Sequence, residues 1–155
     1  MQPNDVVKLT IPAKAEYVGV VRLFISGLAS RLGFNFDEIE DMKVAVAEAC
    51  TNAVNHAYPD DEGMIHIQCF VHMDRLEIHV IDQGKSFDLD QIKRHSKPIT
   101  ERTPIEELYE GGLGLYLIET LMDQVKIETQ GGIKIRMTKF KEVESNGRPY
   151  ETTSV

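Results

Sequence analysis

The sequence predicts an α+β fold, a two-layer sandwich in which a mixed, mostly antiparallel sheet carries helices on one face. The predicted elements follow the order β-α-α-β-β-loop-α-β-β, and the last four strands form two consecutive pairs. Strands joined by short connections pair as antiparallel neighbours, so one sheet covered by helices accounts for this order. With 155 residues, 42% of them hydrophobic, the chain fits one domain with a substantial core.

Composition limits the classes of partner. The formal net charge of −8 argues against a nucleic-acid-binding surface, so any anionic ligand must be held locally by backbone N–H groups, a metal ion or a few basic residues. No apolar run approaches the ~20 residues that cross a bilayer, and the N-terminus lacks a signal segment. We therefore expect a cytoplasmic protein without membrane contact. Cys50 and Cys69 lie in apolar patterns and are interpreted as reduced core thiols.

The first third of the chain is predicted to form one strand and two helices. Alternation indicates a short strand over residues 6–11, and apolar residues at helical spacing indicate a helix over 13–32. Asp37 is the candidate N-cap of the second helix, with Glu40 in the capping-box position. This helix is predicted to run to about Tyr58.

Two alternating segments, residues 64–71 and 75–81, then predict a hairpin. The inward-facing positions of its second strand continue to Asp82, which places a carboxylate on the core side at the end of a strand. A buried carboxylate requires a partner, and the amino group of a base would satisfy it, with Gly84 leaving room for the ring. The alternative is that Asp82 is a local backbone acceptor at a turn.

Residues 83–110 show little apolar periodicity and are expected to form a mobile cover, with the lid proper at about 85–110. A helix over 116–123 and a hairpin of residues 124–129 and 133–140, turning at Gly131-Gly132, complete the predicted domain, residues 1–141. Residues 142–155 are polar and are expected to be a poorly ordered tail.

The second helix carries an unusual polar stripe. Glu48, Asn52 and Asn55 share one face within an otherwise apolar stretch, which indicates the wall of a polar pocket. An asparagine carbonyl suits Mg²⁺, and a carboxylate one turn away can orient a nucleophile or accept its proton. The alternative is a buried hydrogen-bonded pair between helix and sheet.

A glycine cluster, Gly111-Gly112-Leu113-Gly114-Leu115, precedes the third predicted helix. Such a cluster can cradle a phosphate because glycine permits close approach of the backbone and the helix N-terminus presents N–H groups. A plain turn is the alternative. The cluster matches neither a Walker A loop nor a dinucleotide-binding fingerprint, in which Leu117 would have to be glycine.

Taken together, the helix with E-x-x-x-N, the strand ending in D-x-G, the lid and GGLGL before a helix resemble the GHKL ATPase superfamily from about Val6 to Phe140. That superfamily includes histidine kinase catalytic domains, gyrase-type ATPases and Hsp90. The segments EACTNAVNHAY, VIDQGKSFD and EGGLGLYLIETLMD are similar to those of the bacterial anti-sigma serine-protein kinases. This resemblance implies a protein with a GHKL-type fold that uses ATP and Mg²⁺ and forms a homodimer. It also implies that the protein phosphorylates a serine of an anti-anti-sigma protein and sequesters a sigma-B-type sigma factor.

The resemblance also implies roles for individual residues. Glu48 would activate the attacking serine, Asn52 would bind Mg²⁺, and Asp82 would accept the adenine amino group beside Gly84. The remaining nucleotide-binding positions implied by the match are Asn55, Gly111, Gly112, Leu113, Gly114 and Leu115.

One position departs from the pattern, because Glu110 stands where some relatives place an arginine near the γ-phosphate. Lys93, Arg94, Lys97 and Arg102 of the lid are the candidate replacements. Glu16 and Arg22 of the first helix are candidates for a partner surface. A nucleotide-gated sigma-binding module without phosphotransfer is the alternative function, and a histidine kinase fragment is a weaker one.

Overall fold

The computed structural model describes residues 2–57, 63–83, 112–129 and 131–142. Within them, five strands form one sheet in the order β1-β2-β3-β5-β4, with every pairing antiparallel. The strands are β1 (Asp5–Pro12), β2 (Met64–Val71), β3 (Arg75–Asp82), β4 (Gln124–Glu128) and β5 (Ile133–Phe140). The predicted strands and both predicted hairpins are confirmed.

Three α-helices are described: α1 (Val18–Arg31), α2 (Phe36–Asn52) and α3 (Gly112–Leu121). A short 3₁₀ turn, Ala15–Tyr17, leads into α1, and a π-helical turn, Ala53–Ala57, follows α2. None of the helices in the described part of the chain is long and apolar enough to cross a membrane. The predicted lid, and the predicted tail from residue 143 onward, lie outside the described residues.

The core lies between the helices and one face of the sheet. On β3, Leu76, Ile78 and Val80 alternate into this core, where helix residues such as Val46 and Cys50 are also buried. Most side chains on the opposite face of the sheet are half-buried or exposed, with His79 and Thr138 as buried exceptions, so the predicted two-layer α+β sandwich is confirmed. Burial raises the pKa of the free Cys50 and Cys69 thiols to about 12, which confirms them as unreactive core residues.

The predicted start of α2 is wrong by two residues. Asn35, not Asp37, is the N-cap: its side-chain oxygen accepts the backbone N–H of Glu38 at 2.8 Å, and the Glu38 carboxylate accepts the N–H of Asn35 at 2.8 Å. Asp37 instead lies in the first turn, where its negative charge suits the helix dipole.

Glu38 also accepts a hydrogen bond from the chain just beyond β5. Its second carboxylate oxygen accepts the backbone N–H of Glu142 at 2.7 Å, and the Asn35 amide donates to the Glu142 carboxylate at 3.0 Å. Glu38 is only 6% exposed. The capping box therefore holds both the start of α2 and the chain leaving β5.

We expect Glu38→Ala to lower the free energy of unfolding by about 2–3 kcal/mol, because two backbone donors lose a charged acceptor at a largely buried site. Glu40→Ala is the matched control, since its carboxylate makes a surface ion pair with Lys43. That change should cost less than about 1 kcal/mol. Urea unfolding of both variants measures the difference, and equal losses would contradict the role given to Glu38.

The prediction for α3 also needs correction, because the helix begins at Gly112 rather than Tyr116 and ends at Leu121. Leu115 and Ile118 are buried in the core, and their packing draws the glycine cluster into the first helical turns despite its low helix propensity. Asp123, predicted to be helical, instead accepts the backbone N–H of Phe140 at 2.7 Å and so starts the final hairpin.

Candidate active site

The polar stripe of α2 meets the glycine cluster of α3. A Cβ placed on the buried Gly114 would lie 2.7 Å from Oε2 of Glu48 and 3.8 Å from Nδ2 of Asn52. Glycine is therefore what permits the backbone of α3 to approach the two side chains so closely. The structure thus brings Gly114 to two other predicted site residues, Glu48 and Asn52, that lie far from it in the sequence.

Glu48 and Asn52 are half-buried, one helical turn apart. Among the described residues, neither side chain has a hydrogen-bond partner. This argues against the alternative of a buried hydrogen-bonded pair between helix and sheet. A half-exposed carboxylate and amide that have no partner in the described part of the chain are groups that a ligand can use. These surroundings therefore favour a ligand-binding role for Glu48 and Asn52 over a structural one.

The predicted continuation of the α-helix to Tyr58 is wrong in its geometry. After Asn52 the helix widens into the π-helical turn, and the N–H of Ala53 reaches the carbonyls of both Ala49 and Cys50. Such turns occur often at functional sites, because they re-aim the residues that follow. Asn55 lies in this turn and is exposed, displaced from the regular helical spacing that linked it to Glu48.

Asp82 lies at the end of β3 on the helix-covered face of the sheet and is 4% exposed. The backbone N–H of Ile133 donates to its Oδ1 atom at 3.3 Å. The predicted core-facing carboxylate is confirmed. A bond to a residue of the final hairpin also argues against the purely local acceptor role that was the alternative.

The N-terminus of α3 supplies backbone donors. The first N–H groups of a helix have no partner within it, and Gly112 begins this helix next to Gly114. The side chain of Leu115 is buried in the core, where it fixes α3 against the sheet. Gly84, Gly111, the side chain of Leu113 and the basic lid residues lie outside the described residues.

Asn52 is a candidate metal ligand among the described residues of this site. Among the described residues, no group of three or more His, Cys, Asp or Glu side chains is arranged to hold a metal ion. The Asn52 amide is one oxygen ligand of the kind that Mg²⁺ accepts when phosphate oxygens and water complete its coordination. The Asn52 amide can therefore serve a metal ion whose other ligands come from a nucleotide and water.

The final hairpin contributes contacts to the site that the sequence did not indicate. Gly132 and Ile133 lie against Asp82, yet the sequence marked this segment only as a turn. Paired glycines before a strand were the available signal, but their contact with β3 is fixed by the sheet register, in which Asp82 is opposite Ile133.

Comparison with known proteins agrees with this arrangement. Residues 11–139 match the histidine kinase-like ATPase domain family. The chain is 53% identical over 137 residues to the serine-protein kinase RsbW of Bacillus velezensis, covering 88% of this chain and 86% of that one. It is 50% identical over 157 residues to the serine-protein kinase RsbW of Oceanobacillus iheyensis, covering 99% of both chains.

Solved structures support the same fold. A Mycobacterium tuberculosis structure of RsbU and RsbW domains superposes with a TM-score of 0.64 at 20% identity, over 96% of this chain and 35% of that longer one. The catalytic domain of histidine kinase ThkA superposes with a TM-score of 0.54 at 14% identity, over 87% of this chain and 98% of that domain. These matches confirm the GHKL-type fold, and with the sequence identities they show that the chain belongs to the RsbW family of serine-protein kinases, a branch of the histidine kinase-like ATPases.

Proposed function

We propose that this chain transfers the γ-phosphoryl group of ATP to a serine of an anti-anti-sigma protein, and that it also binds a sigma-B-type sigma factor and holds it inactive. The observation that carries the proposal is the contact of Gly114 with Glu48 and Asn52. It places a helix N-terminus that suits phosphate beside a carboxylate that suits proton transfer. Membership of the RsbW family supports the serine kinase activity and the anti-sigma role.

Each group in the site has one task in this proposal. The serine hydroxyl oxygen attacks the γ-phosphorus, its proton passes to the Glu48 carboxylate, and the bond to the bridging oxygen of ADP breaks. The N-terminus of α3 holds the phosphates. Asn52 holds Mg²⁺, which neutralises charge on the phosphate oxygens when it is bound. Positioning and charge neutralisation supply most of the catalysis in such transfers, so a site with few chemical groups is sufficient.

Asp82 has the task of selecting the base. It accepts a hydrogen bond from the adenine amino group, and its low exposure makes that bond worth more than it would be in water. We assign the catalytic domain to residues 1–141, with the lid at about 85–110 supplying the basic group near the γ-phosphate. Gly84 and Gly111 complete the proposed nucleotide site together with Asn55, Gly112, Leu113 and Leu115.

The proposed partners are proteins, and the proposed setting is the cytoplasm, without direct contact with nucleic acid or membrane. Val20 and Leu23 of α1 are exposed, Leu23 to 75%, on the helix that follows Glu16 and carries Arg22. Exposed apolar side chains flanked by charges suit a protein partner, which supports Glu16 and Arg22 as parts of a docking surface. A homodimer is proposed on family resemblance, and sedimentation equilibrium of the purified chain tests it.

The kinase proposal is tested by incubating the protein with Mg-ATP and a candidate anti-anti-sigma protein and then weighing the intact partner. One transferred phosphoryl group adds about 80 Da. The gain should be absent when EDTA is added or when ATP is replaced by ADP. If no gain occurs with any candidate while nucleotide-dependent sigma binding persists, the nucleotide-gated binding module becomes the better account.

Gly114→Ala is expected to lower the rate of transfer about fivefold with little loss of folding stability. The new Cβ would sit 2.7 Å from the end of a flexible side chain, so the Glu48 carboxylate moves rather than the backbone. A catalytic group displaced by a full ångström can cost ~10²-fold, and a smaller shift costs less. Alanine is also the better helix former by about 1 kcal/mol, which offsets part of the contact.

Gly27→Ala is the matched control for Gly114→Ala. Gly27 lies within α1 and has open space where a Cβ would be, so the variant should gain up to about 1 kcal/mol and keep the wild-type rate. Thermal unfolding and partner phosphorylation are measured on both variants. An unchanged rate for Gly114→Ala would contradict the placement of Glu48 beside the reacting phosphate.

A further inference from the structure

The turn between β4 and β5 lies against the end of β3 at a point where no side chain fits. Gly132 has φ +129°, and a Cβ built there would collide with the carbonyl oxygen of Asp82 and approach Cα of Gln83 to 2.9 Å. Because these atoms are backbone, neither can move aside without shifting the strand. Any residue other than glycine at position 132 would therefore force the turn and the main chain of Asp82 apart.

The residue that follows Gly132 is Ile133, the first of β5, and it holds the Asp82 side chain. The N–H of Ile133 donates to Oδ1 of Asp82 at 3.3 Å, and the two residues are opposite one another in the β3–β5 register. Gly132 and Ile133 thus contact both the carbonyl and the carboxylate of Asp82. Both contacts use backbone atoms of the turn, so they depend on its conformation and on the missing Cβ rather than on a side chain.

We propose that Gly132 and Ile133 form a positioning element that fixes the rotation of the Asp82 carboxylate and so sets the preference for a 6-aminopurine base. The inference rests on the proposed function, which gives Asp82 the adenine amino group. A carboxylate has about four lone-pair sites, so an oxygen that accepts from Ile133 can still accept a further donor. A hypoxanthine or guanine base has an oxygen at that position, which would face the buried carboxylate without a proton to share.

Gly131 supplies a matched comparison within the same turn. It also has a positive φ, +67°, but a Cβ there meets nothing within 4 Å. Gly131→Ala therefore adds backbone strain without touching Asp82, whereas Gly132→Ala adds strain and a collision with Asp82. A difference in nucleotide affinity between the two variants is therefore due to the contact with Asp82, and not to the strain that any side chain adds to the turn.

The test compares the affinities of ADP and IDP, which differ in the 6-amino group, by calorimetry on the full chain. We expect the wild type to bind ADP about tenfold or more tightly than IDP, because IDP lacks the amino group that makes one buried charge-assisted hydrogen bond. Gly131→Ala should keep that ratio within about twofold. Gly132→Ala should lower the ADP-to-IDP affinity ratio about fivefold or more. In an Asp82→Ala background the same change should cause no further fall in the ratio, because the effect acts through Asp82.

If Gly132→Ala does not fold, Ile133→Pro carries the test. Proline is tolerated at the first residue of a strand and removes the N–H that Asp82 accepts, so the same fall in the ADP-to-IDP ratio is expected. Equal ratios in the wild type and in the tested variant would overturn the proposal, as would equal falls in Gly131→Ala and Gly132→Ala. A wild type that phosphorylates its partner but binds ADP and IDP equally overturns this inference and the base-selecting task of Asp82 but leaves the kinase activity standing, whereas absence of phosphoryl transfer rejects the proposed function itself.

Discussion

Glu48→Gln should reduce phosphoryl transfer by about a hundredfold or more while leaving ATP affinity within about threefold of the wild type. The amide keeps the size of the side chain and its place beside Gly114, but it cannot take the proton of the serine hydroxyl. General-base catalysis contributes roughly 10²–10⁴-fold, and the loss should fall in that range. Initial rates of partner phosphorylation and calorimetric titration with ATP measure the two quantities separately.

Glu40→Gln provides the control for this experiment. Glu40 lies on the same helix but on its surface, where it pairs with Lys43 at 2.9 Å, so its replacement should leave both rate and affinity unchanged. A parallel fall in rate and in ATP affinity for Glu48→Gln would show that Glu48 shapes the nucleotide site rather than accepting a proton. A rate near that of the wild type would remove it from the chemistry altogether.

The strands of this protein were predictable because apolar residues recur at alternate positions along them, and β2 and β3 bury one face. Residues 64–71 match β2, and the inward face of β3 leads directly to Asp82. Helix boundaries were less predictable, since they depend on partners distant in the chain. Asn35 and Glu38 cap α2 together with Glu142, which is 104 residues beyond Glu38, and no local pattern contains that contact.

The site residues show the same difference between features set by local sequence and features set by long-range contacts. Glu48 and Asn52 are visible in the sequence, because two polar residues on an otherwise apolar helix face require an explanation. Their contact with Gly114, and that of Asp82 with Gly132, depend on packing between elements far apart in sequence. The π-helical turn after Asn52 was likewise not predictable, since its residues suit an ordinary helix equally well.

Asp82→Asn should weaken ATP and ADP binding about tenfold or more without a comparable effect on IDP. The buried carboxylate offers only acceptors, so it accepts both the Ile133 N–H and, as proposed, the adenine amino group. An asparagine amide keeps one acceptor oxygen but turns an NH₂ group towards one of these donors. Loss of a charge-assisted hydrogen bond at a site that is 4% exposed is worth about 1.5–3 kcal/mol, or roughly tenfold to a hundredfold in affinity.

Asp74→Asn is the matched control, because Asp74 is an exposed aspartate in the β2–β3 turn whose ion pair with Arg75 lies on the surface. It should change neither nucleotide affinity nor stability by a measurable amount. Unfolding curves for both variants separate a binding effect from a folding effect, since Asp82 also accepts a backbone N–H at the end of β3. Equal losses for ADP and IDP would mean that Asp82 supports the strand end alone, because only a base-facing carboxylate distinguishes an amino group from a carbonyl oxygen.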